Sequence, residues 1–249
     1  LAGLLIVALG ITLMRIGFFQ VIGTRAGEYS FASATLLPVL GFSALFLFGP
    51  STIWLIMVLE VPFYIPRLRR AQSAPQRWTV TRNWLYNVWN IPLSMLLALL
   101  VYRLAGGAIP LPDMSWQATR PAILAVLAFL ACQMVMLNLL MAIQARSLAA
   151  FKVPEPAQRR WLTTRFFLIT EISAFFGIMG AALYSQNGAL AFVFFMLGVH
   201  LVSLLARRLS KAAMLSQEHS REVTQLERLG RAIIAAPPGA ADLPALLAE

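Results

Sequence analysis

The sequence predicts an all-α integral membrane protein, a bundle of six or seven transmembrane helices with a C-terminal cytoplasmic linker helix. Composition is the first ground. Of 249 residues, 59% are hydrophobic and 12% charged, and mean hydropathy is +0.75; a soluble domain carries about a quarter charged residues. Spacing is the second: the charges clump, and several of the stretches between them approach the roughly 20 apolar residues that cross the hydrocarbon layer. Sign is the third. The net charge of +10 comes from basic residues at the ends of apolar segments, which is the pattern of membrane topology and not of a nucleic-acid groove. The lipid bilayer is the expected partner, and nucleic acid is not.

Residues 1–22 form the first apolar segment, interrupted by Arg15, and residues 23–30 (GTRAGEYS) read as a polar connector. Residues 31–66 are apolar apart from Gly49-Pro50-Ser51 and Glu60. That is too long for one straight crossing, and two helices of about 17 residues joined by a tight Gly-Pro turn are expected, with one crossing plus a re-entrant piece as the alternative. A basic loop with Arg67, Arg69, Arg70, Arg77 and Arg82 follows. Residues 83–104 are the next span, then a neutral Gly- and Pro-rich loop over 105–117 whose one charge is Asp113. Another span covers 122–143 and ends in a second basic loop with Arg146, Lys152, Arg159 and Arg160. Residues 166–184 cross next, 185–188 make a short neutral turn, and 190–205 form the last crossing before Arg207, Arg208 and Lys211. Basic clusters are retained in the cytoplasm, so the two neutral connections face outside. Two helices in 31–66 place the start of the chain outside; a single crossing places it inside.

Beyond Leu205 the sequence turns charged and helix-prone. Leu209, Ala212, Ser216, His219, Val223, Leu226, Gly230 and Ile233 follow alternating spacings of three and four, the stripe of a weak coiled coil. A dimerising cytoplasmic linker and an amphipathic helix lying on the membrane surface both fit. The organisation expected is a bundle over 1–208, a linker over 209–236 ended by Pro237-Pro238-Gly239, and the start of a further cytoplasmic domain over 237–249. The chain opens at Leu1 inside an apolar run without an initiator Met, so a longer protein is expected.

Few polar groups lie within the spans. Arg15, Glu60 and Glu171 are ionisable, and His200 sits near the cytoplasmic end of the last helix. A charge at membrane depth costs several kcal/mol unless paired or hydrated, which makes such residues site candidates by default. Arg15 paired with Glu60 or Glu171 would be economical; snorkelling to an interface or gluing neighbouring helices are the plain alternatives. Asn83, Asn87 and Asn90 share one helical face amid Trp84, Tyr86 and Trp89. They could line a ligand pocket or serve as interhelical hydrogen bonds within an interfacial aromatic belt, and Gln133, Asn138 and Gln144 invite the second explanation. Arg15, Glu60, Asn83, Asn87, Asn90 and Glu171 are therefore the candidate ligand-binding residues. No catalytic motif, phosphate loop or metal-ligand spacing is present. The single cysteine, Cys132, excludes an intrachain disulfide.

Two passages carry a resemblance. Residues 24–70 (TRAGEYSFASATLLPVLGFSALFLFGPSTIWLIMVLEVPFYIPRLRR) and residues 83–107, ending in Tyr102, Leu104, Gly106 and Gly107, resemble the N-terminal multi-helix membrane sensor domain of bacterial signalling proteins. The tail from Gln225 to Glu249 resembles the lead-in to a GAF domain, especially before SpoIIE-like phosphatases. The resemblance implies a bacterial inner-membrane, multi-pass sensor with a cytoplasmic C-terminus. A cyclase, histidine kinase, phosphodiesterase or phosphatase module would follow it, with a homodimer formed through the linker. Two rival functions stand beside it: a small-solute transporter or its substrate-capturing subunit, with a midplane pocket at Glu60, Glu171 and the asparagines; and an accessory subunit of a larger membrane complex.

Overall fold

The structure is a computed structural model that describes residues 2–16, 19–25, 28–34, 36–71, 74–150 and 171–235. In chain order the elements are α1 (Ala2–Ile16), a hairpin of β1 (Phe19–Arg25) and β2 (Glu28–Ala34), then α2 (Leu37–Phe48), α3 (Pro50–Arg70), α4 (Ala74–Leu104) and α5 (Trp116–Ala150). A short 3-10 turn, Ser173–Phe175, leads into α6 (Phe176–Ala235). Among the described residues the architecture is thus helical apart from one two-stranded hairpin. That hairpin is a departure from the expectation for residues 1–22 as a single apolar segment. The helix stops at Ile16, and Phe19 pairs with Ala34 at one end of an antiparallel ladder that runs to Arg25 and Glu28. Val21 and Ile22, β-branched and apolar, suit a strand as well as a span.

Residues 31–66 do hold two helices, of 12 and 21 residues, meeting at Gly49. Gly49 adopts φ +60°, and Pro50 opens α3, a position where a proline's missing N–H costs nothing to the new helix. The two fold back on each other, since Gly41 of α2 lies against Ile56 of α3. The missing N–H has a second effect. In an uninterrupted helix residue 50 would donate to the Phe46 carbonyl; here the backbone N–H of Leu111, in the loop after α4, donates to it at 3.0 Å.

That loop is built with equal care. α4 ends in a Schellman motif: Gly107 N–H donates to Tyr102 O at 2.8 Å, Gly106 N–H to Arg103 O at 3.0 Å, and Gly106 takes φ +87°. A Cβ on Gly107 would stand within 2.6 Å of the Tyr102 ring, whose hydroxyl donates to the Ala108 carbonyl. These contacts give the Tyr102, Gly106 and Gly107 pattern its physical meaning. Asp113 then accepts from the Ser115 N–H at 2.8 Å and from its hydroxyl, while the Ser115 carbonyl receives Thr119 N–H at 2.9 Å to start α5.

α6 is broken at Gly188 (φ +78°, ψ −173°). Its two arms fold back on each other, because Gly180 packs against the Phe195 ring and Tyr184 against Phe192 at 5.7 Å; in a straight helix residues 180 and 195 would be about 22 Å apart. α1 runs alongside, with Gly3 beside Phe48 and Tyr184, and Gly10 beside Leu40 and Met196. The start of α1, the Gly49 turn, the 105–115 loop and Gly188 therefore gather at one end, and the arginine-rich ends of α3 and α4 lie at the other. At that second end Tyr64 stacks on Trp84 at 4.5 Å, and Arg77 Nε donates to Ala71 O.

The core centres on α2, whose residues Val39 to Leu47 are all buried. Phe42 meets Phe129 of α5 edge-on at 4.8 Å, and Phe46 packs on Tyr102 of α4 at 5.0 Å. Gly177 and Gly180 let the first arm of α6 touch the α2 backbone: a Cβ on Gly177 would lie 2.7 Å from the Val39 carbonyl and 2.9 Å from Ser43 N. Small residues at such a crossing permit close backbone approach. Among the described residues three helical stretches are long and apolar enough to cross a membrane: Pro50–Arg70, Trp116–Leu139 and Ser173–Ser216, the last containing the Gly188 break. Gly3–Thr12, Leu37–Phe48 and Val88–Leu104 are apolar but shorter.

Candidate functional site

The polar groups inside this apolar bundle fall into a satisfied set and an unsatisfied one. On the facing surfaces of α4 and α5, Asn90 Nδ2 donates to Gln133 Oε1, and the Ser94 hydroxyl contacts Asn90 Oδ1 at 3.4 Å and Cys132 Sγ at 3.3 Å. Asn90, Ser94 and Gln133 are buried. This is interhelical bonding of the kind that polar side chains make in an apolar bundle. Gln133 Nε2 is left over, buried and without a partner among the described residues. Asn138, expected to act similarly, instead bonds the Met134 carbonyl of its own helix.

Glu171 is the opposite case. Its side chain lines a cavity of about 90 Å³ with Leu37, Gly41, Phe42, Ile56, Met95 and Phe129 among the walls. Oε2 is fully buried and has no hydrogen-bond partner among the described residues. An isolated carboxylate in such surroundings is costly unless a proton, a cation or hydrogen-bond donors compensate it. The cavity lies where the start of α2 meets α3, α4 and α5, in the half of the bundle toward the basic end. Phe129 stands one turn before Gln133 on the same face of α5.

A second cavity, about 150 Å³, lies between α1, α2 and the second arm of α6. Ile6, Leu9, Leu40, Val193 and Met196 form its apolar walls, and His200 closes it with an Nδ1 that is buried and unpartnered among the described residues.

Of the candidate residues, Asn90 and Glu171 are thus placed with their side chains, in neighbouring regions of the same helices' packing. Arg15 falls in the last turn of α1, Glu60 in the middle of α3, and Asn83 and Asn87 in α4. Their side chains, and with them any Arg15–glutamate pairing, lie outside the described residues, as do Gln144's side chain, the second basic loop's residues beyond 150, and residues 237–249. The Glu171 cavity itself was not to be read from sequence, because its walls come from four helices. Gln133 as the partner of Asn90 carried a faint signal: two amides in consecutive spans at matching depth. Comparison with protein-family models, curated proteins and solved structures gave no match, so the site's chemistry has to be argued from its own geometry.

Proposed function

We propose that this chain is the membrane-embedded sensory or regulatory domain of a bacterial signal-transduction protein. It would sit in the inner membrane with six or seven crossings drawn from α1 to α5 and the two arms of α6, the short α2 being the one in question, and with the basic end in the cytoplasm. The observation that carries this reading is the second arm of α6. From residue 189 to residue 235 it is one unbroken helix, about 70 Å long. It begins packed against α1 inside the bundle and ends as a charged rod whose Leu209, Val223 and Leu226 are 71%, 50% and 68% exposed. A helix that belongs to both compartments is a mechanical link: a ligand-dependent shift of its packed half moves its charged half.

Membrane insertion is supported by the outer surface. Leu93, Leu96, Leu100, Leu127, Val135 and Leu139 are exposed on α4 and α5, as are Phe194, Leu201 and Val202 on α6, a far larger apolar surface than a soluble monomer presents. Exposed tryptophans flank it at both ends, Trp54 and Trp116 toward the neutral end and Trp78 at the basic end, as in the aromatic belts of bilayer interfaces. In this frame the exposed Leu209, Val223 and Leu226 of the heptad stripe pair with those of a second copy.

The test is a phase experiment. The chain is fused after Ala235 to a cytoplasmic kinase or cyclase module, and one to seven residues are inserted after Arg208. Each added helical residue rotates the output by about 100°, so output activity should oscillate with the helical period and return near seven. A flat dependence on insertion length would sink the signalling reading. The transporter reading draws on one observation, the Glu171 Oε2 in its cavity, which has no hydrogen-bond partner among the described residues. Solute uptake into vesicles that is abolished by Glu171→Gln would favour it.

A further inference from the structure

We propose that the Glu171 cavity is a binding site for a primary ammonium carried on a two- or three-carbon chain. The inference rests on the sensory reading of the bundle and names the chemistry of the ligand. Three features of the cavity converge on it. A buried carboxylate oxygen without a partner among the described residues calls for a compensating positive charge or a hydrogen-bond donor, and an ammonium supplies both through a charge-assisted bond. The remaining described walls, among them Leu37, Ile56, Met95 and Phe129, bring no side-chain oxygen. Ca²⁺ and Mg²⁺ ask for six or more oxygen ligands, whereas a primary ammonium asks for three acceptors, of which the Glu171 carboxylate is one and water or backbone carbonyls are the others, and accepts apolar neighbours around its alkyl part. Phe42 and Phe129 also line the cavity, and an aromatic face within reach attracts a cation and not a neutral molecule of the same shape.

Size sets the chain length. A cavity of about 150 Å³ takes up a benzene. The 90 Å³ at Glu171 therefore has room for roughly four non-hydrogen atoms, which is a propylammonium or the ethanolammonium end of a phospholipid. Gly41 is the gauge of that room: a Cβ there would stand 3.3 Å from Met95 Cε and 3.7 Å from Ile56 Cδ1, both flexible ends, so a methyl group is tolerated but takes up part of the cavity.

The experiment uses the full-length protein in phosphatidylcholine nanodiscs, titrated calorimetrically with propylammonium, methylammonium and 1-propanol. Propylammonium is expected to bind saturably and at least tenfold more tightly than 1-propanol, and to lose at least tenfold in affinity in Glu171→Gln, which keeps the shape and removes the charge. Gly41→Ala keeps the carboxylate and is expected to weaken propylammonium several-fold while sparing methylammonium, and it carries the test if Glu171→Gln fails to fold. The proposal is overturned by 1-propanol binding as well as the amine, by unchanged binding in Glu171→Gln, or by no saturable binding at all. Repeating the titration in discs containing phosphatidylethanolamine separates the two sources of the ligand. Weakened propylammonium binding there assigns the site to the lipid headgroup, and undiminished binding assigns it to a soluble amine; both uphold the ammonium site. Amine binding with no change in cross-linking of the linker through Leu226→Cys would keep the site and overturn the signalling role. A linker that responds to another stimulus, with no amine binding, would do the reverse.

Discussion

α2 and the second arm of α6 are both apolar helices, and they use that character in opposite ways. α2 is buried from Val39 to Leu47, surrounded by α1, α3, α4, α5 and the first arm of α6. The second arm of α6 touches the bundle through a few residues such as Phe192 and Met196 and exposes Leu190, Phe194, Leu201, Val202 and Leu205. What separates them is what lies opposite: α2 meets backbone and aromatic rings at close range, while the second arm meets mainly its surroundings. The first is enclosed along its whole central stretch, the second over only part of its surface.

Replacing Gly177 by Val should break the tight side of this comparison most severely. Its Cβ would collide with main-chain atoms of α2 that cannot move away, and we expect at least about 3 kcal/mol of destabilisation or failure to accumulate, read from thermal unfolding in detergent. Next comes Asn90→Leu, which leaves Gln133 with neither end of its amide satisfied. A loss of about 1–3 kcal/mol is expected, with a smaller loss in the double variant carrying Gln133→Leu as well, because removing both partners strands nothing. A double variant that unfolds as readily as Asn90→Leu alone would refute the pairing.

On the loose side the expected effects on the bundle are small. Leu226→Ser should leave bundle stability within about 0.5 kcal/mol. In a Cys132→Ser background, a cysteine at Val223 should cross-link two copies under oxidation, and adding Leu226→Ser should reduce that product; an unchanged yield would argue for a helix lying on the membrane surface. The smallest effect is predicted at Asp113. The hydrogen bonds from the Ser115 hydroxyl and N–H hold its carboxyl below the usual carboxylate range. Its folded pKa being depressed, its contribution to starting α5 is present above the ordinary range and lost as pH falls through the lowered value. Hydrogen exchange at the Ser115 amide, corrected for intrinsic pH dependence, should accelerate on acidification while the helix around Phe129 does not change.

Much of this architecture was legible because it rests on local chemistry. Gly49-Pro50, the Tyr102–Gly107 pattern and the turn ending at Gly188 are short-range signals, and each marks a reversal or helix end in the structure. The neutral connections likewise fall at one end of the bundle and Arg67 to Arg82 at the other, although these arginines belong to the ends of α3 and α4 and not to a loop. What sequence could not display is which apolar helix lies inside, since a leucine packed on Phe129 and a leucine facing outward read alike. The hairpin at residues 19–34 was hidden for the same reason, strand and span sharing the same residues over Val21 and Ile22. For the candidate site, the rarity of Glu171 in an apolar segment singled it out, and Asn90 was noticed through its spacing to Asn83 and Asn87. The cavity belongs to no single segment, and the partner of Asn90 is 43 residues away; both follow from how helices meet.

The burial of α2 also bears on how the molecule is made. Its 12 residues span about 18 Å, short of the roughly 30 Å hydrocarbon layer, and its closest neighbours, Gly177 and Gly180, are synthesised roughly 130 residues later. Until they arrive, the groove that receives them, with Ser43 at its floor, stands open. The central helix is therefore enclosed only after much later segments have emerged, and completion of the bundle waits on the same element whose far end leaves it.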